Sequence, residues 1–177
     1  MRQRFGIAVA LIGSPRLIIV DEPTAGLDPA ERARFLNLLS ELGENAVVIL
    51  STHIVEDVAV LCPRFAVIRK GRLVALTSPS EARGGIVGKI FEGRVPRDEM
   101  DEVRRRLQVT QAVLVEGKNR VRVYQPDGQP PAGFEAVPAT LEDAYLLLMQ
   151  DGGQERPSAP YDPARQEPEA VAAGGAA

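Results

Sequence analysis

The sequence predicts an α/β fold that is followed by a small α+β unit. Two apolar strands, residues 17–20 and 46–50, are separated by a helical stretch over residues 28–43. A strand–helix–strand crossover joins parallel strands, so both strands should deliver their following loops to one edge of a sheet. Shorter strand and helix patterns between residues 86 and 150 predict the second unit.

The first strand ends in two carboxylates. Residues 17–20 are apolar and rich in β-branched side chains, which is typical of a strand buried on both faces of a parallel sheet. Asp21 and Glu22 follow, at the strand end where open α/β sheets bind ligands. One carboxylate could hold Mg²⁺, directly or through water, while its neighbour orients or deprotonates an attacking water. The alternative is the polar start of a solvated loop.

The helix after this strand has a clear start and end. Asp28 is placed to cap it, Pro29 occupies its first position, Glu31 lies in its first turn, and Gly43 ends it. Capping alone therefore explains Asp28. The apolar residues of its predicted inward stripe are Phe35, Leu36, Leu38, Leu39 and Leu42.

The only histidine of the chain, His53, follows the second strand. The crossover should bring it to the edge that carries Asp21 and Glu22. A capping or packing role is the alternative for a lone histidine. A short helix over residues 54–61 is predicted next, with Glu56 and Asp57 on its exposed side, and Cys62 is expected to be a small buried hydrophobic residue.

A hairpin and a short helix complete the first unit. Two strands, residues 65–68 and 73–76, are joined through Lys70-Gly71, and Ser78-Pro79 starts a helix that Gly84-Gly85 ends.

Residues 86–150 predict a β-α-β-β arrangement of undetermined strand order. Its predicted elements are a strand over 87–91, a helix over 97–107 with Met100, Val103 and Leu107 inward, paired strands over 112–115 and 121–124, and a helix capped at Thr140.

Composition narrows the possible partners and compartments. The chain has 177 residues, with 21 Lys and Arg against 24 Asp and Glu, so no global basic field indicates nucleic acid. Cys62 is the only cysteine, which fits a reducing cytoplasm. No apolar run approaches the roughly 20 residues that span a bilayer, and no signal peptide opens the chain, so a membrane role would need a partner. The three consecutive arginines, Arg104-Arg105-Arg106, are interpreted as a solvated helix face rather than a phosphate or lipid contact.

Three motifs in order resemble the ATP-binding cassette (ABC) ATPases. Residues 17–23 match the Walker B strand with its Asp-Glu-Pro, Ala25-Gly26-Leu27-Asp28 matches the D-loop, and Ser51-Thr52-His53 matches the switch histidine. Gln3-Arg4 matches the pair that follows the signature loop and begins a helix, here predicted over residues 1–13 and closed by Gly13. The resemblance implies a partial P-loop NTPase sheet with flanking helices.

The resemblance also implies roles for individual residues. Asp21 would hold Mg²⁺ and bind the nucleotide, Glu22 would be the general base, and His53 would contact the γ-phosphate. Gln3 and Asp28 would belong to the ATP-binding side, with Asp28 also reaching across a dimer interface. The implied cofactors are ATP and Mg²⁺.

Two motifs of the family are missing from the sequence, the Walker A phosphate cradle and the signature loop. The only Gly-Lys pairs are Gly88-Lys89 and Gly117-Lys118, and neither has the first glycine and the hydroxyl residue of a Walker A phosphate cradle. The signature loop would lie upstream of Met1. We therefore expect residues 1–85 to be the C-terminal part of an ABC ATPase domain, residues 86–150 an accessory domain, and residues 151–177 a disordered tail. Such a chain should not hydrolyse ATP alone.

The implied function is that of the ATP-hydrolysing subunit of an ABC transporter. Its partners would be a second ABC ATPase subunit and a membrane permease, which would hold it at the cytoplasmic face of the cell membrane. The run Leu141-Glu142-Asp143-Ala144-Tyr145 resembles the ending of the bacterial drug- and polysaccharide-export (ABC-2 type) class. Two alternatives stay open: a non-transporter ABC ATPase, and a non-catalytic half-cassette that binds a partner.

Overall fold

The computed structural model describes residues 13–151, which form eight strands and five helices. The predicted N-terminal helix and the predicted tail therefore lie outside the described residues, apart from Gly13 and Asp151. The elements in chain order are β1 (Leu17–Asp21), α1 (Pro29–Gly43), β2 (Val47–Ser51), α2 (Val55–Leu61), β3 (Phe65–Arg69), β4 (Arg72–Thr77), α3 (Pro79–Gly84), β5 (Ile90–Val95), α4 (Met100–Arg106), β6 (Gln108–Val115), β7 (Lys118–Tyr124), β8 (Phe134–Ala136) and α5 (Leu141–Asp151).

The crossover predicted from the sequence is present. β1 and β2 pair in parallel, with Leu17 opposite Val47 and Asp21 opposite Ser51. The helix between them, α1, buries Phe35 and Leu39 and packs against β2. Leu38 was predicted to face inward, but it is exposed, because it lies off the face that α1 turns toward the sheet.

Burial of the first strand is one-sided, so the prediction that both faces are covered is wrong. Ile18 is 4% exposed, whereas its neighbour Ile19 is 70% exposed. Alternate residues of a strand point to opposite faces, and a single crossover helix covers only one of them. Leu17, Val47 and Ile49 share the exposed face with Ile19.

The hairpin and the helix after it agree with the sequence prediction. β3 and β4 pair antiparallel, and Lys70 and Gly71 both take positive φ at the turn between them. Ser78 caps α3 with a complete capping box, in which Glu81 N–H donates to the Ser78 hydroxyl and Ser78 N–H donates to the Glu81 carboxylate. Cys62, expected to be buried, is half-buried, and this burial raises the pKa of its thiol, with a further contribution from the charge of Asp57.

The second unit is a four-stranded antiparallel sheet with strand order β6-β7-β5-β8. The β-α-β-β arrangement is therefore present, and β8 is an additional strand that the sequence pattern does not predict. The strand predicted over residues 87–91 begins later, at Ile90, because Gly88 takes a positive φ in the preceding turn. Likewise α4 begins at Met100 rather than at Arg97, since residues 97–99 form a turn.

Two apolar cores lie on opposite faces of this sheet, because neighbouring β5 residues Ile90 and Phe91 point to opposite sides. Phe91 belongs to the core under α4, and Ile90 belongs to the core under α5. Helix α5 also packs against α2, α3 and the β3–β4 hairpin, and Arg69 donates a hydrogen bond to the Met149 carbonyl at 2.6 Å. The α/β class with flanking helices and an α+β unit is thus confirmed.

Within residues 13–151, no helix combines the length and the apolar character that crossing a membrane requires.

Candidate functional site

The candidate site lies at the edge of the parallel sheet where β1 and β2 both end. Asp21 and Ser51 are the last residues of the two strands and stand opposite each other in the register. The pairing continues one residue further, since the Glu22 backbone N–H donates to the Ser51 carbonyl at 2.8 Å. The parallel register therefore brings Asp21, Glu22 and the loop that carries His53 to one place.

Glu22 and His53 are in direct contact. The distance from His53 Nδ1 to Glu22 Oε2 is 2.8 Å. An ionised carboxylate can only accept hydrogen bonds, so Nδ1 carries the proton in this pair and the contact does not use Nε2. The His53 side chain is 75% exposed and that of Glu22 is 35% exposed, so a ligand from solvent can reach both.

Asp21 has an oxygen-rich surrounding that fits Mg²⁺. Its Oδ1 accepts a hydrogen bond from the Ser51 hydroxyl, and its side chain lies in an exposed position. Mg²⁺ is commonly held by one or two carboxylates together with water and substrate phosphates. Among the residues that the structure describes, no group of three or more His, Cys, Asp or Glu could enclose a metal ion. The donor set thus fits an ion shared with phosphate rather than an all-protein site.

The backbone of Glu22 takes an unusual conformation. Its φ is +44°, in the left-handed region that residues other than glycine enter at a cost of about 1–3 kcal/mol. Ser14, Lys70 and Glu116 also have positive φ; Lys70 and Glu116 each precede a glycine in a hairpin turn, which accounts for them, and Ser14 lies in the segment before β1. Glu22 has no hairpin to explain it. Strain of this kind is characteristic of functional sites.

A buried polar cluster lies behind the site and corrects one prediction. Asp57 was expected on the exposed side of its helix, but it is 1% exposed. Its Oδ2 accepts from the Thr24 hydroxyl at 2.5 Å, and its Oδ1 accepts from Arg32 Nε at 2.9 Å. The prediction failed because a seven-residue helix gives too short an apolar pattern to fix its buried face. Arg32 and Thr24 lie 25 and 33 positions before Asp57 in the sequence, and no sequence signal links them to it.

Of the remaining predicted site residues, Asp28 is the N-cap of α1, where its Oδ1 accepts from the Glu31 N–H at 2.8 Å. The capping prediction is confirmed. Asp28 is also exposed, so capping leaves it accessible to a partner. Gln3 lies outside the described residues. Ser51, Thr24 and Arg32 support the site and were not singled out from the sequence as functional residues.

An open groove of about 510 Å³ lies elsewhere, against β6. Arg104, Gln108, Gln111 and Gln150 supply its long polar side chains. Its lining contains no carboxylate and no histidine, so it lacks the groups that hydrolysis of a metal-bound nucleotide requires.

A protein-family model matches residues 1–56 and is described as "AAA domain, putative AbiEii toxin, Type IV TA system". The matched span covers 56 of the 177 residues and contains Asp21, Glu22 and His53. An AAA domain is a P-loop-type ATPase domain, so the match supports the partial P-loop NTPase sheet.

The chain is also similar to curated ABC transporters. ABC transporter A family member 10 of Arabidopsis thaliana is 31% identical over 148 residues, which are 84% of this chain and 16% of that protein. Member 6 from the same plant is 38% identical over 84 residues, 48% of this chain and 9% of that protein. ATP-binding cassette sub-family A member 7 of Mus musculus is 29% identical over 203 aligned residues, 96% of this chain and 9% of that protein.

The chain therefore spans between 9% and 16% of the length of these three relatives. The alignments with member 10 and with the mouse protein cover most of the chain, and the family-model match contains the strand with its two carboxylates. The resemblance predicted from the sequence is confirmed, and the chain carries part of an ABC-type ATPase.

Proposed function

We propose that this chain supplies the hydrolytic residues of the ATP-hydrolysing subunit of an ABC transporter. The observation that supports this most directly is the 2.8 Å contact between His53 Nδ1 and Glu22 Oε2, at the edge of a parallel sheet and beside Asp21. A carboxylate held by a histidine next to a second carboxylate is an arrangement that can activate water near a metal-bound phosphate.

Each of the three residues has a separate role in this proposal. Asp21, with the Ser51 hydroxyl beside it, would hold Mg²⁺, which when bound neutralises charge on the phosphates. Glu22 accepts the proton of the attacking water, and His53 orients the Glu22 carboxylate through Nδ1–H. If Nε2–H also donates to a phosphate oxygen, both ring nitrogens carry protons, and the positive imidazolium suits an anion.

ATP binding requires a phosphate cradle that this sequence does not contain. We propose that a polypeptide segment beyond these 177 residues supplies the Walker A motif, and that Gln3 and Asp28 lie on the nucleotide side of the assembled site. A second ABC ATPase subunit would complete the dimer, with Asp28 at its interface. The accessibility of Asp28, an exposed N-cap, is compatible with this role.

We also propose a membrane partner, a transport class and a domain organisation for this chain. A membrane permease would hold the subunit at the cytoplasmic face of the cell membrane, and the run from Leu141 to Tyr145 favours an exporter of the drug and polysaccharide (ABC-2) class. Residues 1–85 would be the C-terminal part of the ATPase domain and residues 86–150 an accessory domain.

The decisive experiment uses the protein produced from its native locus. We expect an intact mass well above 19.1 kDa, ATP binding, and ATP hydrolysis. In that protein Glu22→Gln should leave ATP affinity nearly unchanged and reduce turnover by about 100-fold or more, because the amide keeps the shape but cannot accept the proton. The matched control is Glu56→Gln, on an exposed acid of α2. Unchanged turnover in the Glu22→Gln protein would remove Glu22 from this role.

A second candidate function is a non-catalytic half-cassette that binds a partner cassette or permease. The absence of a Walker A motif from the sequence favours it. A native product of 19.1 kDa that copurifies with a full-length cassette, with or without nucleotide, would support this function instead. A non-transporter ABC ATPase is a third possibility, and the transporter names of the relatives argue against it.

A further inference from the structure

Asp57 uses both carboxylate oxygens to connect three segments: the turn after β1, the start of α1 and the start of α2. Oδ2 accepts from Thr24 in the turn after β1, and Oδ1 accepts from Arg32 in the first turn of α1. Asp57 itself lies in the first turn of α2, four residues after His53. One buried side chain therefore connects the turn that carries Glu22 to the helix that follows His53.

The cluster of Thr24, Arg32 and Asp57 is buried and balanced in charge, as expected for a rigid connection between segments. Thr24 and Asp57 are 3% and 1% exposed, so water cannot replace their hydrogen bond. Arg32 Nη2 lies 2.8 Å from Asp57 Oδ1, and this positive charge offsets the cost of burying the carboxylate. A fully satisfied buried network of this kind specifies one arrangement of the segments that it joins.

The turn that carries Glu22 needs such an anchor. Glu22 has a positive φ, and its carbonyl accepts from the Ala25 N–H at 3.2 Å to close the turn. Thr24, inside this turn, is two residues from Glu22. If the Thr24 side chain is released, the turn can relax toward more favourable backbone angles, and Glu22 then moves away from His53.

We propose that Asp57 is a positioning residue of the hydrolytic site: through Thr24 it holds Glu22 against His53. The proposal rests on the proposed function, in which the Glu22 carboxylate is the base that His53 orients. It adds a residue that touches neither substrate nor metal and acts through another side chain. Asp57 should therefore set the geometry of the Glu22–His53 pair, besides stabilising the fold.

The test reads the protonation of His53 directly, in the full 177-residue chain. His53 is the only histidine, so ¹⁵N-histidine labelling gives one imidazole, and its two ring nitrogens have well-separated signals when protonated and unprotonated. At a pH where the ring is neutral, the contact with Glu22 should favour the Nδ1–H tautomer. A Glu22→Ala variant defines the spectrum of His53 without its partner.

Thr24→Val and Asp57→Asn are expected to shift His53 from the wild-type pattern toward that of Glu22→Ala. Thr24→Ser keeps the hydroxyl and should keep the wild-type pattern. Asp143→Asn is the matched control, because Asp143 is an equally buried and paired acid remote in sequence from the site. Its substitution should lower stability without changing the His53 tautomer.

The outcomes separate the two proposals. If Glu22→Ala changes the tautomer but Thr24→Val and Asp57→Asn do not, in variants whose backbone spectra show that they are folded, then Asp57 is only structural and the positioning role is wrong. If Glu22→Ala itself changes nothing, the Glu22–His53 pair of the proposed function is absent in solution, and both proposals fail. Should Asp57→Asn not fold, the Thr24 variants decide.

Discussion

Arg122 and Asp143 form a buried ion pair that connects helix α5 to strand β7. Arg122 Nη2 donates to Asp143 Oδ2 at 2.7 Å, and Nε donates to Oδ1 at 3.1 Å. The hydroxyls of Thr110 and Thr140 also donate to this carboxylate, each at 2.8 Å. Because α5 packs against α2, α3 and β6 as well, the pair secures a helix that contacts both of those helices and the four-stranded sheet.

We expect Asp143→Ala to lower the free energy of unfolding by about 3–5 kcal/mol, because it leaves the largely buried Arg122 and the buried Thr110 hydroxyl with fewer partners. Urea denaturation followed by circular dichroism measures this loss. The double variant Arg122→Leu/Asp143→Leu should lose less stability than the sum of the losses in Arg122→Leu and Asp143→Leu, since it leaves neither member of the pair without the other. Strictly additive losses would mean that the two residues do not stabilise each other.

The Arg122–Asp143 pair also predicts that the stability of the protein depends on pH. Burial alone would raise the pKa of Asp143, but the hydrogen bonds from Arg122, Thr140 and Thr110 outweigh it and hold the pKa below the ordinary 3.8. A carboxyl whose pKa is lower in the folded state contributes stability above its unfolded pKa and loses that contribution as the pH falls through the folded value. Stability should therefore decline below about pH 4, the usual range for an unfolded Asp.

Asp143→Asn supplies the control for this pH dependence. The amide does not titrate, so the variant should be less stable than the wild type at neutral pH but should lose less stability between pH 5 and the most acidic pH at which the protein remains folded. Equal pH slopes in urea titrations of the two proteins would contradict the assignment of this effect to Asp143.

The sequence was sufficient to predict the elements whose signals are local. The Asp28 cap, the Lys70-Gly71 turn and the helix start at Ser78-Pro79 depend on residues within a few positions of one another, and each is present. The meeting of Glu22 and His53 was predictable for a different reason. A crossover between parallel strands fixes which ends of the strands lie together, even though the two residues are 31 positions apart.

What could not be predicted depends on packing between distant segments. The burial of Asp57 follows from its partners Thr24 and Arg32, and no periodicity in a seven-residue helix indicates them. The exposure of Ile19 was missed because a continuous apolar run suits a strand covered on both faces, whereas α1 covers one face. The strand β8, three residues long, is too short to give a pattern.

The one-sided burial of β1 predicts unequal effects of two neighbouring substitutions. Ile18→Ala removes a core side chain and should lower the free energy of unfolding by about 2–5 kcal/mol. Ile19→Ala, on the exposed face, should change it by about 0.5 kcal/mol or less. Urea denaturation of the 177-residue chain compares the two. Similar large losses in both variants would indicate that the face bearing Ile19 is also covered in solution.

Asp28 allows its capping role and its proposed interfacial role to be separated by two substitutions. Asp28→Asn should keep the stability of α1, because asparagine caps helices about as well as aspartate, whereas Asp28→Ala should cost about 1 kcal/mol. Thermal unfolding of the chain measures this difference. In the ATP-hydrolysing protein that we propose, an interfacial role for the carboxylate predicts that Asp28→Asn lowers turnover although the cap is intact. Wild-type turnover in Asp28→Asn, together with reduced stability in Asp28→Ala, would limit Asp28 to capping the helix.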